Sequence, residues 1–173
     1  MPPSSTTLSA LRSTAEAFRT APRLADVQAV DRLVRQTRVF NEGEIAIARE
    51  LVQENLDKGA QASGYHFLFA DGEASVEGYT CFGPIPGTAG RWELYWIAVA
   101  PQAHRAGLGK RLQAASEDAV RAMGGVLMIA ETSTRADYAP ARGFYLAQGY
   151  TLLAEVPDWH DDGDGLAIFG KRL

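Results

Sequence analysis

From Trp92 to Met123 the chain reads WELYWIAVAPQAHRAGLGKRLQAASEDAVRAM, and few folds can accommodate that string. Trp92 to Val99 carries β-branched and aromatic residues at both odd and even positions, which suits a central strand covered on each side. Pro101 closes it, because proline cannot donate to a sheet ladder. Gly107 and Gly109 bracket Leu108, and a helical pattern follows. Leu108, Leu112, Ala115, Ala119 and Met123 fall on one stripe, with Lys110, Arg111, Gln113, Glu117, Asp118 and Arg121 on the other. Gly124-Gly125 ends the helix. A strand feeding a glycine-bearing turn at a helix N-terminus presents unpaired N–H groups and the positive end of the helix dipole to an anion.

The spacing decides among phosphate ligands. The Walker pattern G-x-x-x-x-G-K-[ST] fails because Arg111 follows Gly109-Lys110, and the dinucleotide fingerprint G-x-G-x-x-G fails at Leu112. What remains is V-x-P-x-x-[QR]-x-x-G-x-[GA], present as Val99-Ala100-Pro101-Gln102-Ala103-His104-Arg105-Ala106-Gly107-Leu108-Gly109. This stretch resembles the coenzyme A pyrophosphate loop of the GCN5-related N-acetyltransferase (GNAT) superfamily. His104 departs from it, standing where the family has Gln or Arg; the loop works mainly through backbone N–H groups.

Composition narrows the class. A chain of 173 residues with 46% hydrophobic residues and a net charge of −4 is one domain, 1–173, with a sizeable core. The acidic balance argues against a general nucleic-acid binder, which shows a basic face, and suits a cationic amine. One cysteine, Cys81, allows no intrachain disulfide and no cysteine cluster for zinc, and three scattered histidines suggest no metal. No apolar run approaches the ~20 residues of a membrane span. The N-terminus has no signal-peptide core, so a cytoplasmic address is expected.

In chain order, Met1 to Ala21 is expected to be mobile or partly ordered. Asp26 is expected to cap a helix running to Thr37, with Val27, Val30, Val34 and Thr37 inward. Asn41 caps a second, from Glu42 to Leu56, with Ile45, Ala48, Leu51 and Val52 inward and Lys58-Gly59 at its end. Tyr65 to Ala70 and Ala74 to Phe82 read as a hairpin turned at Asp71-Gly72. After the central strand and its helix come a strand from Val126 to Ala130 and a helix from Tyr138 to Gln148 with Pro140 in its first turn. Gly143 inside that helix suggests close packing there. Tyr150 to Glu155 and Leu166 to Lys171 close the chain as an antiparallel pair. The order implies an α/β (α+β) fold with a mixed sheet.

The resemblance extends over roughly Ala25 to Leu173. Arg142-Gly143-Phe144-Tyr145 through Gly149-Tyr150 is similar to the family's second motif, F-Y-x-x-x-G-[FY]. It implies a mostly antiparallel central sheet with helices on both faces. Pantetheine would lie in a splay between Trp92–Val99 and Val126–Ala130. It also implies acetyl-CoA as cosubstrate, no metal, direct transfer to an amine, and a small-molecule acceptor, with a homodimer allowed. Residue by residue, backbone groups of Ile97 and Val99, with Ala98 between them, would hold the acetyl carbonyl and pantetheine. Backbone N–H groups of His104, Arg105, Ala106, Gly107, Leu108 and Gly109, with Lys110, would hold the pyrophosphate, and Thr132 would touch the cofactor from the facing strand. Tyr145 matches the acid that protonates the departing thiolate, and Glu93 matches a strand carboxylate used as general base.

The residues themselves frame those roles. An alkylamine (pKa ~10.4) must lose a proton before it attacks. Strand periodicity puts Glu93, Tyr95, Ile97 and Val99 on one face, with Glu93 about 13 Å from Ile97 at ~3.3 Å per residue. A water relay therefore fits better than direct contact, and a solvent-facing strand cap fits equally well. Glu131, Asp137 and His160 are alternative bases. Of the adjacent pair, Phe144 is expected in the core and Tyr145 outside as the acid, against the plainer reading of Tyr145 as a core aromatic. Cys81 is placed as a nucleophile by no motif. The loop from Asp158 to Gly165 fails as a calcium loop, with His160 third and Phe169 twelfth; Trp159 and His160 would instead shape an acceptor pocket. Three readings stand: a small-amine or amino-acid acetyltransferase, a protein N-terminal or lysine acetyltransferase, and a non-catalytic acyl-CoA sensor.

Overall fold

The computed structural model describes residues 18–173. Most of the segment read as mobile, Met1 to Ala21, lies outside them. Its last residues are anchored: Arg19 bridges backbone to backbone with Phe69, stacks over that ring at 4.5 Å and forks its guanidinium between Asp71 and Asp26.

Two helices open the chain, α1 (Asp26–Thr37) and α2 (Glu42–Ser63). Asp26 does not cap α1. Its carboxylate is buried, accepting from Arg23 N and from Arg19, and the buried set is Ala29, Val30, Leu33 and Val34, so Val27 and Thr37 sit at the stripe's margin. Asn41 does cap α2, in a reciprocal box: its side chain accepts from Glu44 N while Glu44 accepts from Asn41 N. The helix outruns its expected end by crossing a kink at Gly59 (φ 78°) and stops at Ser63.

Six strands form one sheet: β1 (His66–Asp71), β2 (Val76–Pro84), β3 (Arg91–Val99), β4 (Leu127–Ser133), β5 (Thr151–Asp161) and β6 (Asp164–Arg172), in the order β1-β2-β3-β4-β6-β5. All neighbours are antiparallel except β3 and β4. The helices α1 and α2 cover one face around Phe67, Phe69, Tyr79 and Ala98; α3 (Leu108–Ala122) and α4 (Ala139–Ala147) cover the other around Leu94, Leu112, Met128 and Phe169. Helix α3 buries Gln113 and Glu117, which the apolar pattern had assigned to the solvent side, and leaves Met123 exposed. Lys171 Nζ donates to Glu117 at 2.7 Å, which offsets the burial of that carboxylate, and Gln113 Nε2 donates to Tyr150 Oη at 2.5 Å while its Oε1 stays buried without a partner among the described residues.

Three smaller expectations change. Gly72 N donates to Ser75 O, so the hairpin turn spans 72–75 and β2 starts later than Ala74. Gly143 has open space where a Cβ would sit, so no close packing requires it. The last two strands run almost to the Asp162-Gly163 turn, and the 157–160 stretch bulges out of β5.

The decisive irregularity is in β3. Cys81 of β2 pairs with Trp96, but the next residue, Phe82, pairs with Leu94, which leaves Tyr95 as an extra residue. Such a bulge flips the alternation. Trp92 and Leu94 face the α3–α4 core, Tyr95 and Trp96 both face the α1–α2 side, and Ile97 and Val99 return to the α3–α4 side. The expectation that Glu93, Tyr95, Ile97 and Val99 share one face is therefore wrong, because period two holds only within an unbroken ladder.

Candidate active site

Parallel pairing of β3 with β4 stops at Leu94 and Ala130, one residue before the bulge. β4 keeps β6 as its other partner along its whole length, Leu127 to Ser133, but beyond Ala130 it loses β3, and the two strands part. Between them opens a cleft of ≈ 1270 Å³, lined by Tyr95 to Val99 on one side and Glu131 to Ser133 on the other.

The ladder fixes which way the strand's polar groups aim. Ala100 N donates to Glu77 O at 2.7 Å, which makes that pair a hydrogen-bonded one. Alternation then gives Ala98 and Trp96 to β2 and turns the N–H and C=O of Ile97 and Val99 toward the missing neighbour. The backbone groups expected to hold an acyl thioester thus face the cleft. Val99 O is the exception: it pairs with His104 Nε2 at 2.9 Å, so that nitrogen carries the proton. The histidine at the position usual for Gln or Arg pins the loop to the strand end.

The loop itself is a 3-10 turn, Pro101–Ala106, followed by Gly107 at φ 69° and then α3. Ala103 N and Gly107 N donate within it, to Ala100 O and His104 O. Leu108, Gly109 and Lys110 precede the first intrahelical bond, Arg111 N to Gly107 O, so their amides make up the open helix end. Of the run from His104 to Gly109 expected to hold a pyrophosphate, Gly107 N is bonded within the turn, and Leu108 and Gly109, with Lys110, lie at the open helix end. Gly107, Gly109, Lys110 and His104 border the cleft, whereas Ala106 and Leu108 border a separate cavity of ≈ 190 Å³ beside Phe18 and Arg19; Arg105 lies in the same turn. Ala98 and Thr132, expected to touch the cofactor, line the cleft.

Tyr145 and Phe144 exchange their expected places. Tyr145 is buried, 7% exposed, against Tyr150 and Phe169 at ring distances of 5.7 and 5.8 Å, while Phe144 is half-buried; both border the cleft. Burial pushes the Tyr145 phenol up to about 12. Glu93 is half-buried next to the cleft and does not line it. Burial, then the neighbouring charge of Glu131, raises its carboxyl to about 7. The alternative bases Glu131, Asp137 and His160 do line the cleft. Of these, Asp137 is ion-paired with Arg135.

Sequence reasoning missed the far end. Phe40, Asn41 and Glu44 of the α1–α2 connection, Trp96 of the bulge, and Arg135 and Tyr138 after β4 all border the cleft, beside Asp161 and Asp164 of the acidic loop already singled out near the acceptor. The capping box was the one readable signal among them. No group of three or more metal-binding side chains occurs among the described residues, and no helix among them is long and apolar enough to cross a membrane.

The model of the acetyltransferase (GNAT) family matches residues 29–150. A solved structure from Desulfovibrio desulfuricans, assigned to the same family, is 42% identical and superposes with a TM-score of 0.87 over 90% of this chain and 98% of its own. The chain belongs to the GNAT acetyltransferase family. The family's cosubstrate is acetyl-CoA, and the splayed strands, the in-facing amides and the open helix end of this acetyltransferase fit it. The fold is shared at low identity with an aminoglycoside 6'-N-acetyltransferase complexed with coenzyme A (16% identity, TM-score 0.68, 87% and 92% of the two chains). It is shared also with the ribosomal-protein-S18-alanine N-acetyltransferase from Escherichia coli (18%, 0.67, 88% and 90%). Among curated proteins none matches this acetyltransferase by sequence.

Proposed function

We propose that this acetyltransferase moves the acetyl group of acetyl-CoA directly to the neutral form of a primary amine on a small molecule or amino acid. The observation that carries the reading is the cleft's two-ended lining. One end meets the first-turn amides of α3 and Lys110; the other meets an acidic and aromatic mouth. A cosubstrate and an acceptor can therefore enter from opposite ends and meet at Ile97.

In this reading the Ile97 N–H, already aimed into the gap, donates to the thioester oxygen as negative charge develops there. The first-turn amides of α3 hold the pyrophosphate. Tyr145 gives its proton to the departing sulfur. A phenol near 12 stays protonated throughout the working range, so it is always loaded as a donor, though each donation to a thiolate of pKa ~8.5 runs uphill. Glu93, titrating near 7 behind Glu131, accepts the amine's proton through water.

The reading is tested by thiol release from acetyl-CoA across a panel of small amines, amino acids and peptide N-termini. Turnover on small amines supports it, turnover on peptides alone moves the acceptor to protein, and binding of acetyl-CoA without turnover on any amine makes the protein a sensor.

A further inference from the structure

We infer that the acceptor mouth takes an amine carried on a flat apolar body, an arylalkylamine; the inference rests on the acetyl-transfer reading above. The bulge in β3 turns two consecutive rings, Tyr95 and Trp96, to the α1–α2 side, where an unbroken strand would turn one. Trp96 packs against Phe40 with ring centroids 4.7 Å apart at 56°, and Phe40 meets Tyr138 edge-on at 6.3 Å and 76°. The three rings come from three separate segments, and all three border the cleft while only half-buried. A packing cluster looks different: Phe69 and Tyr79, which stack beneath α1, are 1% and 0% exposed. The Phe40 group keeps ring surface turned to the place where an acceptor enters.

The rings are held to present that surface. Phe40 immediately precedes the Asn41–Glu44 capping box, and Tyr138 Oη donates to Glu44 Oε1 at 3.4 Å, which ties that ring to the box at the rim of the cleft. Across the gap stands the exposed carboxylate of Glu131. An aryl group on Trp96 and Phe40 would leave its ammonium beside Glu131. Trp96 adjoins Ile97 in the chain, so the linker between ring and nitrogen is short. The faces of Phe40 and Trp96 offer a hydroxyl no partner, so a polyhydroxylated amine would gain from the polar rim alone and forgo the ring contacts.

The test is thiol release from acetyl-CoA with 2-phenylethylamine, n-hexylamine, an aminoglycoside and an alanine-terminated peptide. The expected result is a kcat/KM for 2-phenylethylamine about tenfold above each of the others, the size of a ring-on-ring preference. Phe40→Leu and Trp96→Leu should each erase most of that preference through the KM for 2-phenylethylamine, with the KM for acetyl-CoA unchanged. If Trp96→Leu fails to fold by circular dichroism, Phe40→Leu carries the comparison. Faster turnover of the aminoglycoside or peptide, or an aryl preference that survives the substitutions, overturns this inference and leaves acetyl transfer standing. Silence toward every amine, with acetyl-CoA bound by calorimetry, overturns both.

Discussion

Glu93 and Ile97, four residues apart in one strand, lie on opposite faces of the sheet. The extra residue Tyr95 between them reverses the side-chain alternation. The carboxylate is thereby removed from the side of the sheet on which the Ile97 side chain packs, and it stands close enough to the cleft-lining Glu131 to feel its charge.

A base of this kind must be ionised to work, so kcat/KM should rise with pH through about 7 and level off above it. Glu93→Gln should flatten that limb. Stability should answer with the opposite sense. The folded pKa of about 7 lies above the usual 4.5, so this site's contribution is fully present below 4.5 and is lost as pH rises through 7. Melting curves should show Glu93→Gln stabilised relative to the parent at pH 8 and unchanged at pH 4.

Tyr145→Phe removes one hydroxyl from a ring that is otherwise packed on Tyr150 and Phe169. Turnover should fall by ~10²–10⁴ while acetyl-CoA binding, read by calorimetry, stays the same. Full activity would return the ring to packing alone.

His104→Ala frees Val99 O and loosens the 3-10 turn that precedes the open amides. Loss of one hydrogen bond of ~0.5–1.5 kcal/mol should raise the KM for acetyl-CoA about three- to tenfold. kcat should change little, because His104 touches no reacting atom.

Asn41→Ala breaks both halves of the capping box. The expected cost is about 1 kcal/mol, or roughly 2–4 °C in Tm for a chain of this size. The KM for the amine should rise alongside it, since the box fixes the chain next to Phe40.

Much of this arrangement was legible in the sequence. The string from Val99 to Gly109 contains its own turn and helix start, and Asn41 with Glu44 writes a cap in four residues. Local chemistry decides such features, so they can be read locally. The bulge at Tyr95 could not be read, because it is a mismatch in count between two strands and neither strand contains it alone. The exchange of Tyr145 and Phe144 had the same origin: both rings suit a core, and only the positions of Tyr150 and Phe169 choose between them. Gln113 and Glu117 looked like solvent residues until Tyr150 and Lys171, distant in the chain, arrived as partners.

Strand β5 is exposed along all eleven of its residues, including Leu152, Leu153, Val156 and Trp159, and only its β6 edge is paired. An uncovered border of this length is a template on which any extended chain can lay itself down. What interrupts it here is written into the same strand: Pro157 withholds a donor, the 157–160 arch leaves the plane, and Glu155, Asp158 and Asp161 make a second such border repel the first. Solubility of this enzyme at high concentration therefore depends on carboxylates of that strand, and neutralising Glu155 and Asp158, the two that do not border the cleft, should bring on filament growth before any loss of catalysis.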